Sequence, residues 1–152
     1  MELVNQQRIE APRAVVWDAI NDIEILQRCI PGCEAIERVS ERELNATVAL
    51  KVGPVRARFK GTVAFEDVQK PSALTLSGQG NGGIAGHAKG RARVALEDAD
   101  EVATLLSYEV DAAVGGKIAQ LGARLIDSTA RKLAREFFER LEAEITRVET
   151  ME

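Results

Sequence analysis

Apolar and polar residues alternate across the middle of the chain. Leu44, Ala46, Val48, Leu50 and Val52 are interleaved with Asn45, Thr47, Ala49 and Lys51. After Gly53-Pro54 the alternation resumes, with Val55, Ala57, Phe59, Gly61, Val63 and Phe65 set against Arg56, Arg58 and Lys60. A period of two sends successive side chains to opposite faces, so each segment predicts a strand with one covered and one wet face. The two segments also predict their own register. With Gly53-Pro54 as a two-residue turn, Val52 pairs with Val55, Leu50 with Ala57 and Val48 with Phe59, and both apolar sets share one face.

Leu74 and Leu76 predict another strand before the glycine-rich run at 78–83. Ala88, Ala92, Val94 and Leu96 then alternate with His87, Lys89, Arg91, Arg93 and Glu97. Asp98-Ala99-Asp100 turns the chain into Thr104, Leu106, Tyr108, Val110, Ala112 and Val114. On the outer face Glu109 and Asp111 would oppose the basic residues of the preceding strand, and each such pair contributes a few tenths to about 1 kcal/mol.

Helical periods flank this region. Leu3 to Glu10 is short and mixed and reads as an opening strand. Pro12 suits the first position of a helix running to Ile20, because its missing N–H is no loss there. Asn21 stops that helix, and Asp22 caps a second one over Ile23–Cys29, which ends at Ile30-Pro31-Gly32. At the other end Gly115-Gly116 closes the last strand and opens a helix to about Val148. Its apolar stripe is Ile118, Leu121, Leu125, Thr129, Leu133, Phe137, Leu141, Ile145 and Val148, with Arg124, Asp127, Arg131, Arg135 and Glu142 mostly opposite. Strands segregated from one covering helix predict an α+β domain of about seven antiparallel strands, two short helices and one long C-terminal helix. The sheet must curl round that helix to hide so long a stripe.

A chain of 152 residues fits one domain spanning residues 1–152, which buries roughly 70% of its unfolded surface without a staple. With 45% hydrophobic and 29% charged residues, disorder is not expected. The start, Met1-Glu2-Leu3-Val4-Asn5, has no basic cap before an apolar run, so a secretory signal is not expected. No stretch reaches the roughly 20 apolar residues of a membrane span. The expected location is cytoplasmic, with peripheral contact at the inner face of the cell membrane as the one membrane contact left open. The net charge of −4 hides an uneven spread: residues 51–93 carry a net +6, and the segments on either side are acidic.

The candidate chemistry is mostly negative. Cys29 and Cys33 have half the spacing of a metal site, but His87 is the only histidine and lies far off in sequence, so small buried thiols are the better reading. No metal or cofactor is expected. By parity the inward positions include Leu44, Val48, Phe59, Val63, Leu76, Gly90, Tyr108 and Val110. None is a carboxylate, histidine, lysine or thiol, and general acid–base catalysis needs such a group within reach of substrate. The Tyr108 hydroxyl is the only polar candidate, and a catalytic role is not expected. Glu109 with Asp111, and Asp98 with Asp100, read as solvated charge.

Small residues recur on the inward face: Ala46, Ala57, Gly61, Gly78, Gly80, Gly90, Ala92 and Ala112, with Gly122 on the helix. They permit either sharp bending of the sheet or an apolar cavity for a ligand. Pattern alone leaves both open. The run at 78–83 lacks the Gly-Lys-Ser/Thr ending and following helix of a phosphate loop. Gly116-Lys117 would sit at a helix N-terminus, where anionic or carbonyl oxygens are favoured. The outer residues Arg56, Arg58, Lys60, Lys89, Arg91 and Arg93, with Lys51, form a basic stripe fit for an acidic partner or anionic lipid. It lacks the interleaved aromatics of a single-stranded nucleic-acid site, and no nucleic-acid partner is expected.

Several runs resemble CoxG, the family of the carbon monoxide dehydrogenase G subunit. They are Ala11-Pro12 followed by Val16-Trp17, then Cys29-Ile30-Pro31-Gly32-Cys33-Glu34, Lys51-Val52-Gly53-Pro54-Val55, Phe59-Lys60-Gly61, Gly115-Gly116-Lys117-Ile118-Ala119-Gln120-Leu121-Gly122, and Phe137-Phe138. The resemblance covers nearly the whole chain and implies the START-type (SRPBCC) helix-grip fold, whose members typically hold lipids, polyketides, quinones or hormones. It implies a non-catalytic carrier of a quinone or isoprenoid lipid, accessory to a molybdenum hydroxylase or its membrane quinone pool. Some relatives carry a C-terminal extension thought to reach the membrane, and this sequence runs to Glu152 without one. The residues expected to meet the ligand are Val48, Phe59, Val63, Leu76, Gly90, Tyr108 and Val110 from the sheet, with Lys117, Ile118, Leu121, Gly122 and Leu125 from the start of the helix. The alternatives are an assembly or membrane-recruitment factor acting through the basic face, and a cyclase or hydrolase using Tyr108.

Overall fold

The computed structural model describes residues 1–151, so Glu152 lies outside the described residues. The alternating segments form strands, and the strands form one antiparallel sheet. In chain order they are β1 (Glu2–Ile9), β2 (Cys33–Ser40), β3 (Glu43–Val52), β4 (Val55–Gln69), β5 (Ala73–Asn81), β6 (His87–Asp98) and β7 (Thr104–Gly115). Their order across the sheet is β1-β7-β6-β5-β4-β3-β2. This is a meander from β2 to β7, with the opening strand returned to the edge beside β7. The β3–β4 hairpin has the register expected from its pattern: Val52 opposite Val55, Leu50 opposite Ala57 and Val48 opposite Phe59.

Helices α1 (Arg13–Ile20) and α2 (Ile23–Cys29) fill the connection from β1 to β2. Pro12 caps the first, which starts one residue later than expected. Asp22 caps the second, its carboxylate accepting from the backbone N–H groups of Glu24 and Ile25 at 2.9 and 3.3 Å. That bond pair satisfies two donors that helix geometry leaves unpaired. The long helix departs from expectation. Gly115-Gly116 leads into a short 3₁₀ turn over Lys117–Leu121, Gly122 breaks the chain at φ 97°, and α3 runs over Ala123–Met151. Ile118 and Leu121 recur at a spacing of three, which a 3₁₀ turn satisfies as well as an α-helix does. Lys117 therefore does not stand at the N-terminus of the long helix.

The sheet curves round α3, aided by irregular pairing in β2 and by a bulge in β4 between Glu66 and Gln69, where Asp67 has φ 48°. The core lies at one end of this grip. Leu44, Phe65, Leu74, Leu96, Leu106 and Tyr108 from the sheet meet Val16, Trp17, Ile25 and Cys29 from α1 and α2, and Phe138, Leu141 and Ile145 from α3. Burying a side chain of this size stabilises the fold by roughly 1.5–3 kcal/mol, so this end holds most of the packing energy. Thr104, wholly buried, donates its hydroxyl to the Ala11 carbonyl at 2.7 Å and ties the β1–α1 junction to β7. No described helix is long and apolar enough to cross a membrane.

Candidate functional site: an apolar cavity under the long helix

The inward side chains of the sheet shrink along the strands. On β3 the sequence runs from Leu44 to Ala46, on β4 from Phe65 to Gly61, on β5 from Leu74 to Gly78 and Gly80, on β6 from Leu96 to Gly90 and Ala88, and on β7 from Tyr108 to Ala112. The large members sit at the core end and the small ones at the other. Packing α3 over this gradient fills one half of the interior and leaves the other half underfilled, which densely packed proteins avoid unless something occupies the space.

The unfilled half is a cavity of about 380 Å3. Its walls are Ala46, Val48, Leu50 and Val52 from β3, Phe59, Gly61 and Val63 from β4, Gly80 and Ala88 from β5 and β6, and Ala112 and Val114 from β7. Ile118 closes one side, Ile126, Thr129, Ala130 and Leu133 of α3 form the roof, and Met1 also borders it. Apart from Val52 and Ile118, every one of these residues keeps partial solvent exposure, so the cavity is open to solvent. No carboxylate, histidine, lysine, arginine or cysteine side chain lines it. The one polar side chain is Thr129, and its hydroxyl donates to the Leu125 carbonyl at 2.8 Å within α3.

The glycines separate the two readings of the small residues. A Cβ at Gly61 would lie 2.8 Å from the Gln79 carbonyl oxygen, and one at Gly90 would lie 2.8 Å from that of Asp111. Those glycines let neighbouring strands approach. At Gly80 the nearest atoms to a Cβ would be 3.9 Å away. Its backbone tolerates a side chain, so the absence of one there serves the cavity and not the bend.

Of the expected ligand-contacting residues, Val48, Phe59, Val63 and Ile118 line the cavity. Leu76, Gly90, Tyr108 and Val110 share the inward face but lie outside the lining, towards the core. Tyr108 is buried and stacks on Phe138, with ring centroids 5.3 Å apart. Lys117, Leu121 and Gly122 belong to the connection between β7 and α3, and Leu125 covers Gly53, its Cδ2 2.7 Å from where a Cβ of that glycine would stand. The lining residues that pattern reading missed are mainly Leu50, Val52, Ala88, Val114, Ile126, Ala130 and Leu133. Ile126, Ala130 and Leu133 recur at four- and three-residue steps, which is the sequence signal for the roof.

The basic outer residues Arg56, Arg58, Lys60, Lys89, Arg91 and Arg93 are all exposed. Arg58 holds Glu34 through two contacts of 2.6 and 3.1 Å, which pulls that carboxyl below its ordinary pKa. Arg91 stands opposite Asp111 in the ladder but reaches Glu66, at 3.3 Å. A larger hollow of about 620 Å3 lies on this outer face, lined by Lys89, Arg91 and Arg93 together with Glu2, Glu109 and Asp111. Its mixed charge and exposure make it a solvated furrow. Cys29 is fully buried, and burial pushes its thiol up to about 11. Among the described residues no group of three or more His, Cys, Asp or Glu side chains is placed to hold a metal.

The family model of the carbon monoxide dehydrogenase G subunit (CoxG) matches residues 6–146. A conserved protein from Geobacillus kaustophilus superposes with a TM-score of 0.92 at 26% identity, over 97% of this chain and 96% of that one. A START superfamily protein from Mycobacterium smegmatis gives 0.75 at 12% identity, over 97% and 98%. The ZhuI aromatase/cyclase from Streptomyces sp. R1128 gives 0.70 at 10% identity, over 97% and 94%. The last two likenesses establish the START-type helix-grip fold and nothing finer. No curated protein matches the chain by sequence.

Proposed function

This chain belongs to the CoxG family, that of the carbon monoxide dehydrogenase G subunit, and from that membership and its cavity we propose that it binds a lipophilic small molecule without catalysing its conversion. The ligand class is a quinone or an isoprenoid lipid, and the setting is that of an accessory to a molybdenum hydroxylase of the carbon monoxide dehydrogenase type. One observation carries the reading: the large-to-small gradient on five strands, which leaves about 380 Å3 of apolar space beneath α3. That volume lies near the lower end of the range for small-molecule sites.

The lining also bears on how a ligand would lie. Burying a carbonyl or hydroxyl without a hydrogen-bond partner costs roughly 1–3 kcal/mol, and the walls present no free side-chain donor beyond the already engaged Thr129 hydroxyl. An isoprenoid or other hydrocarbon portion therefore belongs inside, with the polar group at the mouth. In favour of a non-catalytic role is the absence of any ionisable side chain from the lining. Tyr108, the candidate for a cyclase or hydrolase, stands off the cavity against Phe138.

Native mass spectrometry of the purified protein, before and after extraction with organic solvent, tests the reading. The expected result is a lipophilic adduct that extraction removes, or a vacant protein that takes up one equivalent of a short-chain isoprenoid quinone. A protein that carries no adduct and takes up neither a quinone nor any other apolar probe contradicts it.

A further inference from the structure

We propose that the mouth of the cavity docks on an anionic phospholipid bilayer, with Ile84 entering the interface. The proposal rests on the binding reading above, since a water-insoluble ligand needs a route from a lipid phase into the cavity.

The geometry starts from three connections gathered at one end of the molecule. They are the β3–β4 turn at Gly53-Pro54, the β5–β6 loop at Gly82–Gly86 and the β7–α3 connection at Gly115–Gly122. Each is fastened to the cavity wall or roof. Gly53 lies under Leu125, Gly82 lies against the Phe59 ring, and Gly86 packs on Gly116 and Ile118. At the tip of the middle loop Ile84 is 95% exposed, the most exposed large hydrophobic side chain of the described residues. The loop is held in place: Gly83–Ala85 forms a 3₁₀ turn with Ala85 buried, and the Asn81 side chain accepts from the Gly83 N–H at 2.8 Å. A lone exposed isoleucine would be ordinary, so a second observation is needed.

Charge supplies it. The segments that converge on this end, residues 51–65, 73–96 and 112–126, contain nine Lys and Arg and no Asp or Glu, in a chain whose net charge is −4. Among the described residues Arg56, Lys60, Lys89, Arg93, Lys117 and Arg124 make no ion pair, whereas Arg58 and Arg91 do. An apolar tip ringed by unpaired cations matches a bilayer interface, which accepts an apolar side chain and attracts basic ones through its anionic lipids. An acidic protein surface would satisfy the cations and leave Ile84 facing charge.

Flotation with vesicles of phosphatidylcholine alone, or of equal parts phosphatidylcholine and phosphatidylglycerol, tests this directly. Binding to the anionic vesicles at low salt is expected, falling as salt rises, with little binding to the neutral ones. Lys60→Ala and Lys117→Ala should each weaken it about fivefold, and Ile84→Asp should abolish it. Val102→Asp, on an exposed valine in the turn at the opposite end, should leave it unchanged. Ile84→Trp provides a second readout, because the native Trp17 is buried: its emission should shift to the blue on adding anionic vesicles. Uptake of a short-chain quinone from water, without vesicles, should be unaffected by Ile84→Asp. A protein that takes up the quinone but ignores anionic vesicles overturns the docking and spares the binding reading. Vesicle binding without quinone uptake does the reverse. Binding that survives Ile84→Asp, or an Ile84→Trp emission that does not move, also overturns the docking.

Discussion

Tyr108 of β7 stacks on Phe138 of α3 with ring centroids 5.3 Å apart and planes inclined by 28°. The pair stands where the filled half of the interior meets the unfilled half. On β7 the inward residues on one side of it are Leu106 and the core, and on the other Ala112 and Val114 of the cavity. On α3 Leu141 and Ile145 lie on the core side, and Leu133, Ala130 and Ile126 on the cavity side. Phe137 adds an edge-on contact to Phe138 at 5.2 Å.

The stack makes Tyr108 a structural residue. Tyr108→Phe should keep the ring contact, leave stability within about 1 kcal/mol and leave uptake of an apolar ligand unchanged. Tyr108→Ala should destabilise by about 3–5 kcal/mol, the usual range for losing a buried aromatic side chain. Urea unfolding of the two variants, with ligand uptake measured on each, checks both. A loss of function in Tyr108→Phe at unchanged stability would return the hydroxyl to a chemical role.

Gly80 offers the opposite test, in which stability and binding part company. A Cβ there meets nothing closer than 3.9 Å, and glycine within a strand is worse than alanine by roughly 0.5–1 kcal/mol. Gly80→Ala should therefore raise the unfolding free energy by about that amount. Gly80→Val, which projects into the cavity, should lower ligand affinity at least tenfold without loss of stability. Thermal denaturation and quinone titration of both variants give the answer. A destabilised Gly80→Ala would mean that the glycine serves the bend after all.

Cys29 carries a pH dependence of known sign. Its thiol, at 9.0 when free, is pushed to about 11 by burial, so the unfolded chain releases this proton first as pH rises. Its contribution to stability is complete below about pH 9 and is lost as pH climbs towards 11, by at most about 2–3 kcal/mol in all. Cys29→Ala should flatten that part of the stability–pH curve. Thiol reagents at neutral pH should reach the half-buried Cys33 well before Cys29, whose modification should follow unfolding.

The outline of this molecule is readable in its sequence because two periods, two and about 3.6, carry the information that backbone geometry enforces. The β3–β4 register follows from parity across Gly53-Pro54, and the α2 cap from Asp22 before an apolar run. The start of α3 is not legible, because Ile118 and Leu121 fit a 3₁₀ turn equally well, and only the backbone at Gly122 separates the two. The cavity is half-legible for a related reason. Parity tells which face a residue occupies but not how far along the grip it lies, so Val63 and Tyr108 look alike until the strands are laid side by side. Once β3 to β7 are in register, the descent from Leu44, Phe65, Leu74, Leu96 and Tyr108 to alanine and glycine is visible in the letters alone. Ile84 and the basic rim are harder to read, since the loops that unite them are far apart in sequence.

The measurement that bears most directly on the account is a methyl-resolved NMR titration of the protein with a short-chain isoprenoid quinone. The shifts should be confined to Val48, Val63, Ile118, Ile126 and Leu133, with Leu96, Leu141 and Ile145 of the core unmoved. Saturation without any change at these cavity methyls, or with changes centred on the outer sheet face, would contradict it.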